Sequence, residues 1–433
     1  MRKLFSALTL FLFLFAQSSF AMREVVFSGH GRIQQLATAY NFFHGVAGAF
    51  NVAENKFRQF IPRNAVLSKF KVELSAAPGV GRSVTFTVRA SGADTPISCT
   101  VADLNLSCSY DPPLEVAAFQ VITVKEVPFG TPALANARYS IVVTTPSNRE
   151  LILTGGKAPT IITLPAQAFI PAHGGTVTEL TTEFLSRTTL PFSGKVTELH
   201  VNFPPGAGSQ ATTFTTFYKG MVTPQTCTAL ENVGSCSDTG HAFSFEAGDT
   251  ISVFNSGIFV PQNSGVSLVV IPDSPGDSLS ALAGTGVVSS TSNRYQYFSV
   301  GSAPWNATEA NVLTLGQAGP ITKDAEILRM FVQANQLPSS GSYAITLREN
   351  QTSTLFSCTI SFGSPSADCG VSGELTLVDG REYDVLVVPS ATEQLIQFSE
   401  GIGFEDLVPV PEAPLINVGF RVNLKQRRTS IIN

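Results

Sequence analysis

The chain has 433 residues, too many for one ordinary core and enough for two to four domains at roughly 100–200 residues each. Its hydrophobic content of 43% excludes global disorder, and its Gly 35 and Pro 26 are too few for a collagen or a low-complexity chain. A net charge of −5 excludes a nucleic-acid binder built on a broad basic field, and five histidines leave little for an elaborate metal centre.

The opening, MRKLFSALTLFLFLFAQSSFA, has the anatomy of a secretory signal peptide. Arg2 and Lys3 give the positive start, Leu4 to Ala16 the apolar stretch, and Ser19-Phe20-Ala21 the small-x-small cleavage site. The apolar run is too short to span a bilayer well, and no later stretch approaches the ~18 apolar residues of a transmembrane helix. Residues 1–21 are therefore expected to be removed, leaving a mature protein that is secreted, periplasmic or on the cell surface, where disulfides persist.

The six cysteines form three local pairs, Cys99/Cys108, Cys227/Cys236 and Cys358/Cys369. First members recur at about 130 residues, far beyond the ~20–50 of a solenoid repeat, so the period marks tandem domains. Each first cysteine stands in a Ser/Thr-Cys-Thr triplet, with Thr95, Thr223 and Thr354 just upstream. Phe86, Phe214 and Ile345 stand further upstream, inside the alternating runs SVTFTVRA, ATTFTTFY and SYAITLRE. Before these, Pro62, Pro191 and Pro320 precede VLSKFKVEL, KVTELHVNF and AEILRMFVQ. So many agreements in one order mean triplication. Copy openings at Arg23, Arg149 and Arg294 place the domains at 22–147, 148–292 and 293–425, with a basic tail at 426–433.

Within a copy, period-two runs rich in Val, Thr, Phe and Ile alternate with Gly, Pro, Ser and Asn. That pattern predicts strands with one buried face, hence an all-β chain of three tandem antiparallel β-sandwich, jelly-roll-like domains. Phe86, Phe214 and Ile345 are expected at equivalent inward positions. Helical turns are expected only within 32–60 and 305–313. In the third copy, Thr392 to Ala413 reads as an insertion and INVGFRVNL (Ile416 to Leu424) as the final strand. An even cysteine count, paired in every copy of an exported chain, predicts three intradomain bridges, each tying a strand to its near neighbour.

The stretch Phe245-Glu246-Ala247-Gly248-Asp249-Thr250-Ile251-Ser252-Val253 resembles the apolar Gly-Asp strand of tumour necrosis factor-like and complement-globular-head-like jelly rolls of bacterial surface proteins. SYAITLREN and VTFTVRASG resemble a hairpin of the same group. Gly-Asp is present in the middle copy only, Ala118-Phe119 and Gly380-Arg381 replacing it elsewhere. The resemblance implies ten-stranded jelly rolls that pack in threes, and it implies no catalytic residue.

No catalytic signature stands out. His30, His44, His173, His200 and His241 lie in unrelated contexts, without HExxH or GxSxG. Glu179, Glu183, Glu198, Asp249, Glu374 and Asp384 are available as acids, but nothing singles out a pair at glycosidase spacing. Trp305, alone of its type, is a candidate surface-binding aromatic. These features predict an exported non-enzymatic structural, adhesive or recognition protein with a protein or glycan ligand. The alternative is a secreted carbohydrate-binding protein or carbohydrate-active enzyme subunit. No cofactor, metal, nucleic-acid partner or transmembrane segment is expected. The copies are expected to pack as an intramolecular pseudo-trimer or through homo-oligomers.

Overall fold

A computed structural model describes residues 24–405, apart from 298–324 and shorter segments, the longest of them 158–166. The signal-peptide segment, Trp305, residues 305–313, INVGFRVNL and the basic tail lie outside the described residues.

Copy one contributes β1 (Glu24–Arg32), β2 (Ala39–Phe42), β3 (Gly45–Ala49), β4 (Gln59–Phe60), β5 (Ala65–Leu74) and β6 (Gly79–Ala90). It continues with β7 (Ala93–Asp103), β8 (Ser107–Tyr110), β9 (Leu114–Val116), β10 (Val121–Phe129) and β11 (Asn136–Thr144). One sheet runs β3-β1-β11-β5 and on to β8 and β9. The other runs β2-β10-β6-β7, with β4 also on β10. Two such sheets face to face make a jelly-roll sandwich. The stretch 32–60 carries strands and one 3-10 turn, Glu54–Lys56, where helical turns were expected.

Copy two repeats the plan with β12 (Leu151–Lys157), β13 (Gln167–Pro171), β14 (Gly174–Thr176), β15 (Thr188–Thr189), β16 (Gly194–Asn202) and β17 (Ala211–Tyr218). Then follow β18 (Met221–Leu230), β19 (Ser235–Asp238), β20 (Phe243–Phe245), β21 (Thr250–Gly257) and β22 (Gly265–Pro272). β18 shows why the sequence folds this way: along MVTPQTCTAL, exposed and buried residues alternate from Val222 to the end of the strand.

Copy three comprises β23 (Asp277–Ser280), β24 (Gly286–Val288), β25 (Arg294–Tyr297), β26 (Ala325–Ala334), β27 (Ser342–Glu349), β28 (Thr352–Ser361), β29 (Asp368–Leu377), β30 (Tyr383–Pro389) and β31 (Ile396–Glu405). β23 pairs with β31 as β1 pairs with β11, so the copy's first strand begins at Asp277, ahead of Arg294. Arg294 opens β25, which lies on β30 as β2 lies on β10. β31 takes the last-strand place, so Ile396–Glu405 is not an insertion. Its sequence, IQFSEGIGFE, hides the strand because polar and glycine residues break the alternation.

The disulfides Cys99–Cys108, Cys227–Cys236 and Cys358–Cys369 span Cα distances of 5.7, 5.7 and 5.8 Å. Each joins β7, β18 or β28, at the edge of one sheet, to β8, β19 or β29 in the opposite sheet. The bridge thus pins a chain neighbour across the sandwich.

Strands of different copies also meet in parallel. Val25 and Val26 of β1 pair with Leu279 and Ser280 of β23, and Gly45 of β3 pairs with Gly175 of β14. One apolar core runs through copies one and two, while Val26 and Val142 of copy one join the core of copy three.

Candidate functional site

The outer face of the β2-β10-β6-β7 sheet in copy one is ionic. Glu54, on the 3-10 turn, accepts from Arg89 Nε and Thr123 Oγ1, each at 2.8 Å. Asp94 pairs with Lys125 and Arg89, and these cations, Lys125 first, hold its carboxyl below the usual range. Arg89 lies over the Tyr40 ring at 5.5 Å.

The same positions in copy two are aromatic. β10 places Lys125 between Tyr40 and Thr87, and β21 places Phe254 between Phe169 and Thr215. Arg89 lies opposite Thr123, and Phe217 opposite Ser252. Ser252 Oγ donates to Glu183, so Glu183 does for this copy what Glu54 does for the first. Phe169, Phe217 and Phe254 form a half-buried cluster with ring centres 4.8 to 5.5 Å apart. Beside it run hydroxyl pairs, Thr215–Thr226 at 3.1 Å and Thr213–Thr228 at 2.8 Å. Thr87–Ser98 and Thr85–Thr100 repeat the ladder in copy one, and Thr346–Ser357 in copy three. In copy three, Leu386 occupies the place of Lys125 and Phe254. One frame therefore carries three different faces. An apolar aromatic patch bordered by hydroxyls can stack on a ring and hydrogen-bond its edge.

A second group lies between copies one and two. Arg63 donates to Glu150 at 3.0 Å and to Glu198 at 2.5 Å, and Glu198 also meets His200 Nε2 at 2.7 Å. Despite burial, the hydrogen bonds from Arg63 and His200 hold the Glu198 carboxyl below its usual range, which disqualifies it as a general acid. Between copies two and three, Arg187 reaches Gln333 at 3.1 Å.

The remaining candidates are tied into structure. Asp249 accepts from the Tyr218 hydroxyl and the Glu246 amide and pairs with Lys219, so the Gly-Asp motif locks the turn before β21. Gly248 has φ 91, and Phe331 of copy three packs where its side chain would stand. Glu183 is bonded to Arg187. Asp384 and His30 are buried, and His241 sits 2.9 Å from Asp238 in a tight turn. Glu179 lies outside the described residues.

His44 and His173 are brought together, ring centres 4.1 Å apart and both buried. Two imidazoles sharing a zinc ion through Nε2 would hold ring centres about 5 Å or more apart, so this is a packing contact. Among the described residues no group of three His, Cys, Asp or Glu is placed to hold a metal.

Sequence reasoning missed the Phe169–Phe217–Phe254 cluster. The signal was available once copies one and two were aligned strand by strand, since Phe replaces Tyr40, Arg89 and Lys125 at outward positions.

No protein-family model and no curated protein matches the chain. Among solved structures it is similar to one described as the triple jelly roll fold and turret assembly of an archaeal virus, with 10% identity, 88% of this chain and 90% of that one covered, and a TM-score of 0.16. Another is the M60 catalytic domain with two CBM51 domains of Clostridium perfringens ZmpB, at 12% identity, 83% and 35% coverage, and a TM-score of 0.17. A third is Sulfolobus turreted icosahedral virus, at 10% identity, 79% and 79% coverage, and a TM-score of 0.14. Likeness this low carries no functional argument.

Proposed function

We propose that this is an exported, non-enzymatic structural, adhesive or recognition protein whose three copies form one body, akin in packing to tumour necrosis factor-like jelly rolls. The single observation that carries the reading is the divergence of the outer faces on one repeated frame. Selection for folding alone acts on the inward residues; three different outward faces are what distinct contacts would require. The aromatic face of copy two is the contact surface. Three disulfides are compatible with an extracellular location, and among the described residues no helix is long and apolar enough to cross a membrane.

A second reading, a carbohydrate-binding protein or a subunit of a carbohydrate-active enzyme, draws on the same Phe169–Phe217–Phe254 patch with its hydroxyl ladder. A glycan array run beside a hydrolase screen separates the two. Flat results on both overturn the second reading, glycan binding without turnover supports its carbohydrate-binding form, and turnover lost on changing a pair of acids overturns the first.

A further inference from the structure

The rings of His44 and His173 come from different copies, yet each meets the first strand of its own copy through Nδ1. His44 Nδ1 lies 3.0 Å from the Ser28 amide and 2.8 Å from the Ser28 carbonyl oxygen, its tautomer deciding whether it accepts from the first or donates to the second. The Thr154 amide donates to His173 Nδ1 at 3.3 Å. Ser28 is on β1 and Thr154 on β12, the first strands of their copies. Both rings also pack on Phe27, at 5.2 and 5.5 Å. Neither Nε2 has a hydrogen-bond partner. Each histidine directly precedes a strand, β3 or β14, and those strands are the ones that meet across the copies at Gly45 and Gly175.

We propose that the His44–His173 contact is an acid-sensitive latch, in which the neutral rings let copies one and two close at Gly45 and Gly175 and a proton taken from solvent by either ring opens that contact. A cation here would be fully buried, beside a second imidazole, with an Nε2 that has nothing to donate to. Among the described side chains of the surrounding strands, the charged and titratable groups are His30 and Arg32 on β1, Tyr40 on β2, and Arg138 and Tyr139 on β11. Arg138 is already paired with Glu73, and His30 is itself buried. Burial lowers the pKa of His44 to about 4 against the opposing hydrogen bond to Ser28, and burial, with His44 adding to the effect, holds that of His173 well below its usual value. Both rings therefore bind protons more readily when the contact is open.

Amide hydrogen exchange on the mature chain tests this, corrected for the intrinsic pH dependence of exchange. One ring predicts that the opening constant of the β3 and β14 amides rises about fortyfold between pH 6.5 and 4.5, while the amides of β17 and β18 change far less. In the double variant His44→Phe, His173→Phe, that rise should be lost at β14, with β3 keeping only what His30 on the neighbouring β1 contributes. A pH-independent β3 and β14 in the wild type, or an undiminished rise in the double variant, overturns the proposal. Should the double variant not fold, an NMR titration of the wild-type imidazoles decides: native pKa values below about 5 support the latch, and values near 6.5 contradict it.

Discussion

Phe214 lies directly across the β17–β18 pair from Cys227 and is fully buried. Phe86 faces Cys99 and Ile345 faces Cys358 in the same register. The inward residue of one strand therefore packs beside the sulfur that pins the next strand to the opposite sheet. Phe214→Ala should cost about 3–5 kcal/mol by leaving a cavity that a cross-linked edge cannot collapse to fill. Denaturant unfolding checks it, and a loss below about 1 kcal/mol would mean the packing around Phe214 is not as described.

That register was legible in the sequence because repetition supplied what one copy could not. Three occurrences of an apolar residue at a fixed distance before Ser/Thr-Cys-Thr fix the strand and its inward face together. Where the repeat is weak, legibility fails. Asp277–Ser280 and Ile396–Glu405 are strands whose polar and glycine content hides the alternation, and their places are set by pairing with each other and with β26. Contacts between copies were illegible for another reason. Arg63 finds Glu150 and Glu198, and His44 finds His173, through three-dimensional neighbours with no spacing rule.

The Arg63 network should stabilise the meeting of copies one and two. All three side chains are less than a third exposed, so screening by solvent is partial. Arg63→Met should cost about 1.5–3 kcal/mol, the range for hydrogen bonds to charged groups. Thermal unfolding at low and high salt checks it; the gap between wild type and variant should shrink as salt rises. An unchanged gap would indicate lost packing rather than lost charge.

Glu126 gives a pH dependence of definite sign. It is fully buried, accepts from the Gln34 amide at 2.6 Å, and burial raises its pKa to about 9. In the unfolded chain it ionises near 4.5, so the folded state holds a proton that the unfolded state has lost. Its contribution is fully present below pH 4.5 and declines as pH rises towards 9. Glu126→Gln should remove that decline and stabilise the protein at pH 7 by on the order of 2–3 kcal/mol. His30 and His44, lowered to about 3 and about 4, act in the opposite sense and weaken the fold as pH falls below 6.5. Unfolding free energies across pH 5 to 9 check this; a variant with the wild-type slope contradicts the assignment.

The pairings of β1 with β23 and β3 with β14 bring all three copies together. Small-angle scattering on the mature monomer should then give a radius of gyration near ~22 Å, the globular expectation for about 410 residues. A clearly elongated particle would mean that the copies stand in a row.

The functional reading rests on the outer face of copy two, and exchanging faces tests it most directly. The variant Phe169→Tyr, Phe217→Arg, Phe254→Lys gives copy two the outward residues that copy one carries at Tyr40, Arg89 and Lys125. The inward residues are untouched, so the fold should persist by circular dichroism. Ligands that the wild type captures on glycan and host-surface protein arrays should be lost by this variant and kept by one changed at Arg89 and Lys125 of copy one. Undiminished capture by a folded exchange variant would contradict the account.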